Sequence, residues 1–128
     1  MKPYHLVAAL FLLLSSAVVS AGEPFKDSKD VVGAWMLEAV SRGIGKIKTE
    51  ENRSWEFKSD GTLVTSGYNR VTKMDDRMTF GYRVEDGKLV LIDPGRPNKP
   101  QTLEVHERTD KTMTLTGGWE GVYFFRRK

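Results

Sequence analysis

Residues 53–62, Arg-Ser-Trp-Glu-Phe-Lys-Ser-Asp-Gly-Thr, decide the fold class. Trp55 and Phe57 alternate with polar residues, which is the period of a strand with one buried face. Asp60-Gly61 follows, a pair favoured in tight hairpin turns because the central residues of such turns need positive φ. The chain then returns through Thr62 to Tyr68. The segment predicts an antiparallel hairpin whose aromatic face points inward.

The same alternation recurs on both sides of this hairpin, and no segment from residue 31 onward shows sustained helical periodicity. Strands are predicted at 32–40, 53–58, 62–68, 78–85, 88–92, 102–108, 112–116 and 122–127. Eight antiparallel strands fit a two-sheet sandwich or a closed up-and-down barrel. We favour the small eight-stranded barrel, an all-β fold, because closure leaves no exposed sheet edge.

The first 21 residues have the three parts of a secretory signal peptide. A short polar region carries Lys2, an apolar run extends from Leu6 to Leu14, and small residues end at Ala21. An uncleaved anchor is the alternative, but a membrane span needs roughly 20 apolar residues. We therefore expect cleavage after Ala21, a periplasmic or secreted product and no membrane span in its mature form. Residues 22–30 are then a flexible N-terminal arm or a short helical turn, and 31–128 the barrel domain.

Composition argues against stabilisation or lipid attachment through cysteine and against a nucleic-acid partner. The chain has no cysteine, so neither a disulfide nor a lipidated cysteine is available, and packing and sheet closure must hold the domain. The net charge is +3, and the basic residues are scattered apart from Arg126-Arg127-Lys128 at the end. A nucleic-acid partner is not expected, because such a protein concentrates its basic residues on one face.

Two short motifs resemble those of lipocalin-like (calycin) proteins. Gly33-Ala34-Trp35 resembles their Gly-x-Trp signature at the start of the first strand. Residues 55–62 are similar to the Trp-x-Phe-x-x-Asp-Gly-Thr hairpin of small bacterial lipocalin-like domains. The resemblance implies a barrel with a binding function. This chain is shorter than a typical ligand-carrying lipocalin and lacks the helix usually placed before the last strand, which implies a shallow cup.

The resemblance also implies how the barrel floor is built. The tryptophan at position 35 would close the floor, with Gly33 letting the backbone pass close by. An arginine near the end of the last strand, Arg126 or Arg127, would pack across the tryptophan ring as a cation over an aromatic face. We take Arg126 as this structural residue, because alternation places it on one face with Val122 and Phe124.

The inward aromatic residues are the candidate binding site. Trp55, Phe57, Phe80 and Tyr82 would line a pocket for a small apolar or amphipathic molecule, since such pockets are mostly apolar with a few polar groups. The alternative is a filled core, because a small domain without disulfides needs these rings for packing. Loops 41–51 and 93–100 are the longest and would be the gates.

No constellation of residues predicts catalysis, a metal site or a cofactor. Met74 and Met78 suggest a Cu(I) site by their thioethers, but Met78 falls on the apolar face of a strand, where methionine commonly fills gaps. The one histidine of the mature chain, His106, is predicted on an outer face. The paired carboxylates are predicted on outer faces or in turns. A protein-binding alternative remains: an inhibitor of a secreted protease that acts through the arm at 22–30.

Overall fold

The structure is a computed structural model that describes residues 20–128. The strands are β1 (Ser20–Ala21), β2 (Gly33–Ser41), β3 (Lys48–Phe57), β4 (Thr62–Asn69), β5 (Met74–Glu85), β6 (Lys88–Ile92), β7 (Gln101–Arg108), β8 (Thr112–Gly118) and β9 (Gly121–Arg127). A single 3₁₀ turn covers Ser28–Asp30. No helix within this range has the length and apolarity to cross a membrane. Most of the predicted signal peptide, residues 1–19, lies outside the described residues.

Strands β2 to β9 form a closed antiparallel barrel. Each strand pairs with the next one along the chain, and β9 pairs with β2 to complete the ring. The short strand β1 lies outside this ring and pairs with the end of β7. The prediction of an eight-stranded up-and-down barrel is confirmed, and the sandwich alternative is wrong.

The up-and-down order places alternate loops at opposite ends of the barrel. Loops 42–47, 70–73, 93–100 and 119–120 lie at one end, which we call the open end. The turns at 58–61, 86–87 and 109–111 lie at the other end, the closed end, together with the segment 22–32.

Trp35 and Arg127 build the floor at the closed end. The Trp35 ring is 1% exposed, and its Nε1 donates a hydrogen bond to the carbonyl of Val31 at 2.8 Å. The guanidinium of Arg127 lies 4.1 Å from the centroid of that ring. Gly33 has φ +128°, and a Cβ there would come within 2.8 Å of Arg127 Nη1, so the glycine of the Gly-x-Trp motif makes room for the arginine.

This arrangement corrects the prediction of Arg126 as the floor arginine. Arg126 is exposed on the outer face, where its Nε donates to Glu38 at 2.9 Å. The register pairs Trp35 with Arg127 instead. Alternation misassigned β9 because residues 122–125, Val-Tyr-Phe-Phe, are all apolar, so the sequence does not reveal which of the two faces points inward.

A β-bulge in β2 interrupts the alternation of inward and outward side chains. The pairing of β2 with both neighbours shifts between Leu37 and Ala39. Beyond the shift, Val40 joins the core cluster, although alternation from Trp35 predicts an outward position for it. The extra residue of a bulge reverses the parity of everything that follows it in the strand.

The segment 22–30, expected to be a flexible arm or a short helical turn, is packed on the closed end. Phe25 is 4% exposed and belongs to the core cluster, and its backbone N–H donates to the carbonyl of Gly87 at 3.0 Å. The guanidinium of Arg108 lies 5.3 Å from the Phe25 ring centroid and donates to the carbonyls of Glu23 and Pro24. The buried Phe25 ring and these hydrogen bonds together hold an otherwise polar segment against the barrel.

Candidate functional site

The side chains inside the barrel do not fill it at the open end. A cavity of about 680 Å³ opens between the loops there. Its apolar wall includes Leu37, Trp55, Leu63, Phe80, Leu91 and Tyr123. Polar and charged residues stand nearer the mouth, among them Glu51, Asn69, Arg70, Asp93, Arg96 and Glu120. This cavity is the candidate functional site.

The four predicted site residues divide between the cavity and the core beneath it. Trp55 and Phe80 line the cavity, whereas Phe57 and Tyr82 do not. Phe57 and Tyr82 pack edge to face, with ring centroids 5.0 Å apart, and the Tyr82 hydroxyl donates to the carbonyl of Lys58 at the closed end. Burial raises the pKa of Tyr82 above its ordinary value. These two rings are therefore placed to stabilise the barrel below the cavity.

A layer of aromatic rings separates the floor from the cavity. The Trp55 ring lies 5.0 Å from Phe125 and 6.0 Å from Tyr123, centroid to centroid, in edge-to-face arrangements. Phe125 also meets Trp35 of the floor at 6.4 Å. Edge-to-face contacts of this kind fix the rings beyond what burial alone contributes. The barrel is thus a filled core in its closed half and a cup in its open half.

Arg53 supplies a buried positive charge on one side of the cavity wall. It lies on the inner face of β3, in line with Trp55, and is 5% exposed. Its guanidinium donates to the Gly67 carbonyl at 2.9 Å, to Thr65 Oγ1 at 3.3 Å and to Asp76 Oδ1 at 2.7 Å. These three bonds compensate for the cost of burying the charge.

Asp76 completes this network from β5. Its second carboxylate oxygen accepts from Asn69 Nδ2 at 2.8 Å. The bonds from Asn69 and Arg53 lower the pKa of Asp76 below its ordinary value, because both donors favour the charged carboxylate. The prediction that all paired carboxylates face solvent or lie in turns is therefore wrong for Glu51, which lines the cavity with a side chain 7% exposed, and for Asp76. The parity of Asp76 with Met78 and Phe80 in β5 was a signal that could have revealed it.

Arg70 crosses the mouth of the cavity. It makes ion pairs with Glu51 of β3 and with Glu120 of the loop at 119–120. The bond to Glu51 raises the pKa of Arg70 above its ordinary value. Because Arg70 and Glu120 also line a second pocket, between the loops at 42–47 and 119–120, this link lies where the two pockets adjoin. No pattern in the sequence joins these three residues, which are far apart along the chain.

Gln101 and Arg96 hold the last loop of the mouth. Gln101 Oε1 accepts from the Trp119 backbone N–H at 2.7 Å and from the Tyr123 hydroxyl at 3.0 Å. The guanidinium of Arg96 lies 4.8 Å from the Trp119 ring centroid. Burial raises the pKa of Tyr123 to about 12, so its hydroxyl stays protonated and serves as a donor.

Of the two loops predicted as gates, only 93–100 lines the cavity, whereas residues of 42–47 line the neighbouring pocket. Only 42–47 is a loop in the first of them, because β3 begins at Lys48. Glu51 of β3 and Asp93, Pro94 and Arg96 from the second loop line the cavity. Within residues 20–128, no group of three or more histidine or acidic side chains is arranged to hold a metal ion, and His106 is exposed.

The barrel is similar to solved structures of lipocalin-like fold. A lipocalin-like protein from Bacteroides uniformis ATCC 8492 superposes with a TM-score of 0.58 at 15% identity, over 77% of this chain and 99% of that one. An uncharacterized protein from Bacteroides eggerthii DSM 20697 superposes with a TM-score of 0.57 at 19% identity, over 76% and 98%. No protein-family model and no curated protein matches the sequence. The fold is lipocalin-like, which confirms the resemblance seen in the sequence.

Proposed function

We propose that this protein is an exported, non-catalytic binding protein that holds a small apolar or amphipathic molecule in the cavity of its barrel. The observation that carries the proposal is the cavity itself, with Trp55 and Phe80 in its wall. Its volume of about 680 Å³ falls within the range of small-molecule pockets, roughly 300–1,000 Å³. If all of the inward aromatic rings were used to fill the core, the interior would not contain a cavity of this volume.

The distribution of polar groups favours an amphipathic ligand. The deep wall is apolar, with Leu37, Leu63 and Leu91 beside the two aromatic rings. Charged side chains stand at the mouth, including Arg70 and Arg96. An apolar chain or ring system would occupy the interior, and a polar head would stay at the rim in reach of these donors and of water.

The ionisable groups beside the cavity support binding without chemistry. Asp76 is held by Arg53 and Asn69, and Glu51 is held by Arg70. A general acid or base needs a pKa near the working pH, whereas these contacts keep Asp76 charged, with its pKa below the ordinary value.

Export rests on the three-part N-terminus ending at Ala21, and periplasmic or secreted localisation is part of the same proposal.

The alternative, an inhibitor of a secreted protease acting through 22–30, takes second place. Such an inhibitor would insert this segment into the protease, but Phe25 is part of the barrel core. Releasing the segment would expose that ring and break the bonds that Arg108 makes to Glu23 and Pro24. Inhibition through this segment would therefore have to offset the loss of those contacts.

A displacement titration tests the proposal. The processed protein is titrated with 1-anilinonaphthalene-8-sulfonate, an amphipathic dye, and bound dye is displaced by fatty acids of increasing chain length. We expect dye binding in the micromolar range and an affinity that rises with chain length until the cavity is filled. The variant Phe80→Trp places a larger ring in the cavity wall and should weaken dye binding at least tenfold.

The matched control is Arg83→Trp, which adds the same ring to the exposed face of the same strand. This variant should bind the dye as the unmodified protein does. An equal loss of dye affinity in both variants would contradict a ligand-binding cavity. The absence of binding below the millimolar range by every probe would contradict it as well. Circular dichroism of both variants establishes that each remains folded.

A further inference from the structure

Exposed large hydrophobic side chains gather around the open end of the barrel. Among the described residues they are Ile44, Ile47, Tyr68, Val71, Met74, Met78 and Trp119. Each belongs to an open-end loop or to the half of β4 or β5 that adjoins this end. Ile47 and Val71 are the most exposed, at 91% and 77%. Scattered apolar residues are ordinary on a surface, but a set confined to one end indicates an interaction site.

The loops at the same end carry a net positive charge. The loops 42–47, 70–73, 93–100 and 119–120 hold six basic residues against two acidic ones: Arg42, Lys46, Arg70, Lys73, Arg96 and Lys99 against Asp93 and Glu120. The closed-end turns at 58–61, 86–87 and 109–111 hold two basic residues against three acidic ones. The open-end loops are therefore net positive and the closed-end turns slightly net negative, although the basic and acidic residues of the chain nearly balance.

We infer that the open end docks on an anionic lipid bilayer, with Ile44, Ile47, Val71 and Trp119 as the inserting side chains. These four residues and the basic residues of the open-end loops form the docking rim. Apolar side chains flanked by Lys and Arg are the composition that binds an anionic membrane surface, since the former enter the headgroup boundary and the latter attract the lipid charge.

The geometry of the docking rim favours a bilayer over a single protein groove. Its four apolar side chains stand on three loops around an opening, as contacts to a plane of lipid require. Trp119 contributes an amphipathic ring, the type of side chain enriched at membrane interfaces. Docking in this orientation turns the cavity mouth toward the lipid, so an amphipathic molecule can pass between bilayer and barrel without crossing bulk water. The docking itself does not depend on what the cavity binds.

Vesicle binding by the processed protein, without ligand, tests the inference. Vesicles of phosphatidylcholine alone are compared with vesicles that also contain phosphatidylglycerol. We expect binding at least tenfold tighter to the anionic vesicles and weakening as salt is raised, because salt screens surface charge. Trp35 and Trp55 are buried, so a blue shift in tryptophan emission on binding should come from Trp119 and disappear in Trp119→Phe.

Two pairs of charge reversals distinguish attraction by the docking rim from attraction by the net charge of the protein. Lys46→Glu with Lys73→Glu changes the open end, and Lys58→Glu with Lys111→Glu changes the closed end by the same amount. The first pair should weaken binding to the anionic vesicles at least tenfold, and the second should leave it within about twofold. Ile47→Ser with Val71→Ser should also weaken binding at least tenfold, because those side chains supply the apolar insertion.

Equal effects of the two charge pairs would overturn the inference, since attraction would then depend on net charge alone. Binding with no blue shift from Trp119 would overturn it as well, because the open end would not be in the lipid. Failure of all vesicle binding would have the same meaning and would leave the dye titration of the cavity unaffected.

Discussion

The guanidinium of Arg127 lies 4.1 Å from the centre of the Trp35 ring, across the floor of the barrel. Its nitrogens also donate to the carbonyls of Asp30, Val32 and Asp110. One side chain thus joins β9, the segment before β2 and the turn between β7 and β8. The contact couples the two ends of the barrel chain at the point where the ring of strands closes.

Arg127→Gln should destabilise the protein by about 2 kcal/mol, because it removes the cation over the ring and weakens charged hydrogen bonds to three carbonyls. The matched control is Arg126→Gln, which removes the same charge from an exposed ion pair with Glu38. The control should change stability by less than about 0.5 kcal/mol, as exposed ion pairs generally do. Urea unfolding measures both. A larger effect at Arg126 would contradict the floor described here.

Asp76→Asn should make stability less sensitive to acid. The pKa of Asp76 is lowered in the folded protein, so the folded state releases this proton more readily than the unfolded chain does. The resulting stability is fully present above the ordinary carboxyl range and is lost as pH falls through the ordinary value and then the lowered one. In the wild type, Tm should therefore fall more steeply from about pH 5 downward than in the variant.

At neutral pH the same variant should have a lower Tm than the wild type, because buried Arg53 loses its charged partner. Asp75→Asn is the control, since Asp75 is the exposed neighbour in the same strand. Thermal unfolding followed by circular dichroism across the acid range makes the comparison. Identical pH profiles for the two variants would show that Asp76 has no special role.

Phe25→Ala should destabilise the protein by about 3 kcal/mol, as for buried aromatic truncations elsewhere. The reason is that Phe25 fills the closed end although it precedes the first barrel strand. Lys26→Ala, an exposed neighbour, should change stability by less than about 0.5 kcal/mol. If both variants unfolded at the same urea concentration, the segment 22–30 would not contribute to the core.

Export should remove residues 1–21, as the small residues ending at Ala21 predict. The intact mass of protein recovered from the exported fraction should then correspond to a chain beginning at Gly22. An Ala21→Arg variant should block processing, because the cleavage site requires a small side chain there. Retention of Phe11 in the exported protein would contradict the prediction.

Strand number and order could be predicted from local signals, because alternation and the Asp-Gly turns act within a few residues. Face assignments failed where a local rule was interrupted. The bulge after Leu37 reversed the parity of Val40, and the four consecutive apolar residues 122–125 concealed that Arg127 lies on the inner face of β9. Burial of Phe25 could not be predicted, since one ring in a polar segment has no period.

The candidate site was predicted only in part for a related reason. Trp55 and Phe80 share inward parity with Phe57 and Tyr82, but parity does not distinguish positions along the barrel axis. Which rings lie under the cavity and which lie beside it depends on the register between strands. The ion pairs of Arg70 depend on loops that approach only after the barrel closes.

The pairing of β2 with β9 also governs when the fold can form. The first barrel strand finds its second neighbour only in the last one, roughly the whole domain away along the chain. A growing chain therefore carries unpaired strand edges until Arg127 has been synthesised, and contacts this distant in sequence form slowly. Such a topology delays completion of the native state until synthesis is finished.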